Sequence, residues 1–329
     1  MERYSRCDAA DQCRSRVGLV SSIEGEVVAW LRLIAGVVTN LVTQILLMKI
    51  GLNMHLWSTH ITSEHFGAIE ELKAIGYDGV EVFLASPERA SYEELGAFAQ
   101  SIEMEVNGCL GVGPDQDPIS EDSKIRQAGL DKLKEAIDNI HAAGGKNICG
   151  PFHSAFANFS RNSPQEFEYK RSAEVLREAG EYAQQAGVTL TPESLNRFEC
   201  YLCNTMAQLR HLVDLVDHPN VRGMFDSHHA NVEEKSFTEA IETIAPVMAH
   251  VHISENDRGT PGKGHIPFDE IFSAVAKTGY DGYYTIEAFS RDDVDFANAI
   301  NVWRDYNPRM DICREGYQFV KEMHAKYAQ

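Results

Sequence analysis

The chain predicts a single (β/α)8 barrel of the TIM type with an N-terminal extension. From residue 49 onward, short apolar runs alternate with longer amphipathic ones, as parallel βα units require. No linker rich in Pro, Gly or Ser divides the series, so residues 48–329 read as one domain. Four of the later runs also end on a side chain suited to a metal: Val188–Glu193, Val221–Asp226, Ala249–His252 and Tyr283–Glu287. Their intervals of 33, 26 and 35 residues are too long for one binding loop. They match successive units of a barrel, whose active site gathers at the carboxyl ends of its strands.

The strands are expected at 49–56, 79–84, 105–110, 146–150, 188–193, 221–226, 248–254 and 283–287. Helices are expected near 63–75, 91–101, 121–143, 164–186, 205–216, 236–245 and 268–277, with a last stretch over 296–326. Two junctions repeat one text, Gly76-Tyr-Asp-Gly79 and Gly279-Tyr-Asp-Gly282, each before a strand. The first Gly of each ends a helix with φ > 0, so the repeat has a structural meaning. Residues 1–47 stand apart. Val27–Met48 is apolar but holds Arg32, Asn40 and Gln44, which makes it a poor spanning helix. The segment also lacks the layout of a signal peptide. Residues 1–47 are therefore expected outside the fold, the alternative being an amphipathic helix on the barrel or on a membrane surface.

Lys and Arg total 30 against 49 Asp and Glu, a net charge of −19 in 329 residues. This field repels DNA and RNA and favours a small substrate that is neutral or held through a cation. The seven cysteines are scattered and odd in number, so they do not form a disulfide framework. Cys200-x-x-Cys203 without a second pair is weak evidence for zinc.

Period two puts Thr189, Thr191 and Glu193 on one strand face, and Tyr283, Thr285 and Glu287 on another. Glu193, Asp226, His252 and Glu287 form an oxygen-rich set suited to Mn²⁺, with Co²⁺ and Mg²⁺ as alternatives, rather than to structural zinc. Unpaired carboxylates are costly inside apolar runs, and a divalent cation removes that cost. Glu193 and Glu287 on either side of a substrate also suit an acid–base pair. Arg258, in the Gly-rich loop Asn256–Gly264, is expected to hold a hydroxyl or keto oxygen. Glu199, or more weakly Asn196 and Lys263, would join it. His153 at the end of the fourth strand points to the same mouth. Trp57 after the first strand offers an apolar platform for a sugar ring, or plain core packing.

Glu193-x-Leu-Asn-Arg-Phe-Glu199, Asp226-x-x-His229-x-Asn-x-Glu-Glu234, His252 with Arg258 and Pro261-Gly-Lys-Gly264, Glu287 and Trp303-Arg304 resemble the D-tagatose 3-epimerase group. That group includes D-psicose (allulose) and L-ribulose 3-epimerases, within the xylose-isomerase-like barrels. The resemblance runs from about Met48 to the C-terminus. It implies a metal on Glu193, Asp226, His252 and Glu287, and proton transfer at C3 of a ketose by Glu193 and Glu287 through a cis-enediolate. It makes Glu199, His229 and Arg258 substrate contacts. Strict alternation from Asp226 would instead turn His228 inward. A small-molecule sugar substrate, a homo-oligomer (dimer or tetramer), a cytoplasmic location and no membrane partner are also expected. The rival activities with the same site are aldose–ketose isomerisation and attack on a 3-keto sugar with a small partner subunit. Three departures alter the pocket: Ser227-His-His-Ala230 for Thr-Phe-His-Met, Ile286-Glu-Ala-Phe289 for Met-Glu-Pro-Phe, and His265 after the Gly-rich loop.

Overall fold

The computed structural model describes residues 48–327. Each of the eight apolar runs becomes a strand: β1 Lys49–Asn53, β2 Gly79–Phe83, β3 Glu105–Cys109, β4 Asn147–Gly150, β5 Thr189–Pro192, β6 Gly223–Asp226, β7 Met248–Ile253 and β8 Tyr283–Ile286. They form one sheet in the order β5-β4-β3-β2-β1-β8-β7-β6. The named pairings are parallel, for instance Leu52 opposite Val80 and Ile286. The two ends of the sheet meet through a single bridge, Leu190 opposite Val221. There Leu190 N–H donates to Asn220 O and Arg222 N–H to Leu190 O, each at 2.8 Å. The barrel is thus closed, with β5–β6 as its thinnest seam.

Ten α-helices lie among the described residues: α1 Phe66–Ile75, α2 Arg89–Ser101, α3 Ser123–Ala142, α4 Glu166–Ala186, α5 Met206–Val216, α6 Ser227–Glu233, α7 Phe237–Ile244, α8 Phe268–Lys277, α9 Val294–Ala299 and α10 Arg309–Tyr327. Caps set several starts: the side chains of Asp122, Thr205 and Ser236 accept from backbone N–H groups of α3, α5 and α7. The repeated junction behaves as expected, with Gly76 at φ 124° and Gly279 at φ 73°. Apolar faces then pack on the sheet. Phe272 of α8 stacks on Tyr284 of β8 with ring centres 5.4 Å apart, and Phe319 of α10 meets Phe272 edge-on. A fully buried side chain such as Phe272 contributes about 1.5–3 kcal/mol.

Two helical expectations need correction. The stretch 296–326 is two helices, because Asn301 adopts φ 60° and Pro308 cannot continue a helix from before it. The segment after Asp226 is also helical: α6 starts at once, with Asp226 Oδ1 accepting from His229 N–H at 2.8 Å. The expected extension, residues 1–47, lies outside the described residues.

Candidate active site

Glu193 follows β5, Asp226 ends β6, His252 lies near the end of β7, and Glu287 follows β8. The backbone pins the two glutamates. Glu193 N–H donates to Gly150 O at 2.9 Å and Glu287 N–H to Ile253 O at 3.2 Å. All four side chains are buried. His252 Nδ1 sits 3.6 Å from Asp226 Oδ2, 3.6 Å from Glu287 Oε1 and 3.8 Å from Glu193 Oε1. These gaps are too long for hydrogen bonds. His252 Nδ1, Asp226 Oδ2 and Glu193 Oε1 accordingly have no hydrogen-bond partner despite full burial.

The other edge of the imidazole explains the arrangement. His252 Nε2 lies 2.9 Å from Glu81 Oε1. A proton shared there leaves the Nδ1 lone pair facing three carboxylates. That grouping is repulsive unless a positive charge sits between its members. Burial pushes the Glu193 carboxyl well up, and the neighbouring Glu287 and Asp226 add to it. Burial alone would raise Glu287 too, but the Arg258 guanidinium beside it works against this and the carboxyl lies low. The donor set, three carboxylates and one imidazole oriented by a carboxylate behind it, suits a divalent cation; Asp226, His252 and Glu287 converge, and Glu193 converges with Asp226 and His229.

Glu81 is a residue that sequence reasoning missed. It is fully buried on β2, and Asn53 Nδ2 also donates to its Oε1 at 2.8 Å. His250 Nε2 approaches its Oε2 at 2.8 Å, although off the angle of a good hydrogen bond. The signal was present: a charged residue between Val80 and Val82, on a strand otherwise apolar, and His250 two residues before His252.

Above the cluster opens a cavity of about 400 Å³. Glu193 and Glu287 reach it from β5 and β8, and Glu199, His229 and Arg258 line one wall. Arg258 adopts φ 62°, an uncommon conformation for a side-chain-bearing residue. Its Nη1 donates to Glu287 Oε2 and, at 2.8 Å, to Ser254 Oγ. Its Nη2 lies 3.0 Å from His229 Nε2. Because Asn196 N–H donates to His229 Nδ1 at 3.1 Å, the neutral ring carries its proton on Nε2. Two donors thus lie side by side, and an oxygen bridging them from the cavity would accept from both. Glu199 Oε1 accepts from Asn196 Nδ2 at 2.8 Å, and burial raises its carboxyl. The Gly-rich loop is anchored by buried Glu255, whose Oε2 accepts from Gly262 N–H at 2.9 Å.

Other expected side chains lie elsewhere. His228, favoured by strict alternation, is turned aside because α6 breaks the strand. Its Nδ1 meets Glu255 O at 3.0 Å, while His229 enters the cavity. His153 does not line the cavity. It is fully buried behind Glu193, with Nε2 on Glu193 O at 2.9 Å and Ser154 Oγ 3.1 Å from Nδ1. Trp57 is also absent from the lining; it is half-buried, with the Arg309 guanidinium 4.9 Å over its ring. Lys263 points outward and pairs with Glu315 at 3.0 Å. Cys200 and Cys203 are free and buried. No helix among the described residues is long and apolar enough to cross a membrane.

The family model described as xylose isomerase-like TIM barrel matches residues 69–323. The chain is 32% identical over 274 residues to a D-psicose 3-epimerase of Agrobacterium fabrum, covering 81% of this chain and 94% of that one. A solved L-ribulose 3-epimerase superposes with a TM-score of 0.80 at 26% identity, over 85% of this chain and 95% of its own. A D-allulose 3-epimerase of Methylomonas sp., solved in complex with D-allulose, gives 0.78 at 26% identity, over 84% and 97%. The chain belongs to the xylose isomerase-like TIM barrels and, within them, to the group of the ketose 3-epimerases.

Proposed function

We propose that this protein is a metal-dependent isomerase that epimerises a free ketose at C3. One observation carries the proposal. Glu193 and Glu287 reach one cavity from different strands, flanking a buried imidazole nitrogen and a carboxylate oxygen that have no partner of their own. The likeness to D-psicose and L-ribulose 3-epimerases supports the ketose.

A divalent cation, Mn²⁺ before Co²⁺ or Mg²⁺, would be held by Glu193, Asp226, His252 and Glu287 and would supply charge stabilisation at the C2 oxygen. The chain's own residues do the rest. One of Glu193 and Glu287 removes the C3 proton from its face of the sugar. The other returns a proton to the opposite face, and the roles exchange with the direction of reaction. Arg258 holds Glu287 in place and offsets its charge. His229 Nε2–H and Arg258 Nη2 converge on one substrate oxygen, and Glu199 receives a hydroxyl at the same end.

The deciding experiment is isotopic. Turnover of D-fructose, D-allulose and D-tagatose in ²H₂O with Mn²⁺ should give a C3 epimer carrying deuterium at C3. Deuterium at C1 alone would establish aldose–ketose isomerisation instead. Turnover of 3-keto glycosides only would favour the 3-keto-sugar activity. A cytoplasmic homo-oligomer, dimer or tetramer, accompanies this assignment, and light scattering tests the subunit number.

A further inference from the structure

Beyond Glu193, Glu287 and the wall of Glu199, His229 and Arg258, only His55 lines the cavity with a side-chain nitrogen or oxygen, among the described residues. Much of the remaining lining is apolar, including Phe83, Phe156, Phe289 and Phe296. His55 is 5% exposed, and neither ring nitrogen has a hydrogen-bond partner. Buried polar atoms are rarely left so.

The ring is held firmly. It stacks on Phe296 at 4.3 Å between centres and 23° between planes, and Phe83 lies 5.2 Å away. Its backbone sits in the short turn Met54–Leu56 after β1, where His55 N–H donates to Asn53 Oδ1 at 2.9 Å. Asn53 is itself bonded to Glu81. Burial keeps the imidazole neutral, down at about 4, so it offers one donor and one acceptor.

Topology says which end of a sugar it meets. Glu199, His229 and Arg258 follow β5, β6 and β7, whereas His55 follows β1, on the far side of β8 in the sheet order. The proposed function puts C3 between Glu193 and Glu287 and the C2 oxygen toward Asp226 and His252 of β6 and β7, so C4–C6 extends to the opposite side of the cavity, where His55 and Phe83 stand. We infer that His55 is a specificity-determining residue that hydrogen-bonds one hydroxyl on the C4–C6 half of the ketose. This rests on the ketose 3-epimerase assignment.

The test uses the Mn²⁺-loaded full chain and whichever of D-fructose, D-allulose and D-tagatose it epimerises fastest. His55→Phe keeps the stack on Phe296 and removes both nitrogens. It should raise KM about 10-fold or more with kcat little changed, since a uniform binding contact is lost. One of the 4-, 5- and 6-deoxy analogues should be turned over equally by wild type and variant. His55→Asn, which restores an amide donor and acceptor, should recover part of the loss. Wild type alone gives an independent readout: one deoxy analogue should lose about 10-fold in kcat/KM while the other two lose little. Equal KM in wild type and His55→Phe, or wild-type indifference to all three deletions, overturns the inference. Wild type that epimerises none of D-fructose, D-allulose, D-tagatose and L-ribulose removes the epimerase assignment and the role of His55 with it; activity on L-ribulose alone removes only the role of His55. Wild type that epimerises a ketohexose, with an indifferent His55→Phe, removes only the role of His55.

Discussion

Glutamine in place of Glu193 or Glu287 keeps the size and removes the proton carrier. Either change should lower epimerisation by at least about 10²–10⁴-fold, measured as initial rate at saturating cation. A loss of less than tenfold in both variants would end their assignment as the acid–base pair. Glu81 allows a sharper test, because it lies behind His252 and is not part of the cavity lining. Glu81→Gln should weaken cation binding about 10–100-fold while leaving the ligands in place. Titration calorimetry with Mn²⁺ on chelator-stripped protein reads this directly, and unchanged affinity would mean Glu81 only fills the barrel. At this scale the strand-end residues were legible because period two and run boundaries place them. Glu81 was not, since its partner His252 is 171 positions away.

Among the elements, the β5–β6 seam and the Gly-rich loop depart most from a regular barrel. The seam has one bridge, whereas β2 and β3 pair over five positions. The amides of Leu190 and Arg222 should therefore exchange with solvent faster than those at the centre of β2, as local opening needs fewer bonds broken. Equal protection in hydrogen exchange would show a seam as firm as the rest. In the loop, a Cβ on Gly264 would collide with Asn256 Oδ1 and the Glu255 carboxylate. Gly264→Ala should cost about 1–3 kcal/mol in unfolding free energy, by denaturant titration, and disturb the loop that carries Arg258. Residues 1–47 are proposed to be dispensable, so a chain starting at Met48 should be soluble and active. Insoluble or inactive protein would show that the apolar stretch packs on the barrel.

For the whole molecule, cation binding and folding are linked, because converging carboxylates exist only in the folded barrel. Stripping the protein with EDTA should abolish epimerisation. At a cation concentration of about 100 times Kd, restoring Mn²⁺ should add about 2.7 kcal/mol. That corresponds to a rise of roughly 4–5 °C in Tm for a domain of this size. Full activity in the stripped protein would overturn the metal assignment. The net charge of −19 also favours the approach of a cation over that of an anion.

The alternation of strands and helices, the eight strand positions and the four metal-suited strand ends follow from the sequence alone. Their causes are local: side-chain period, caps and glycine turns operate within a few residues. Tertiary structure decided what depends on distant partners or on one hydrogen bond. Asp226 capping α6 selected His229 over His228 for the cavity. Packing placed His153 behind Glu193 and Trp57 beneath Arg309. Asn301 and Pro308 split the last helix. Only the closed barrel shows that His55 faces the cavity with no partner, because a missing contact is a property of the complete surroundings.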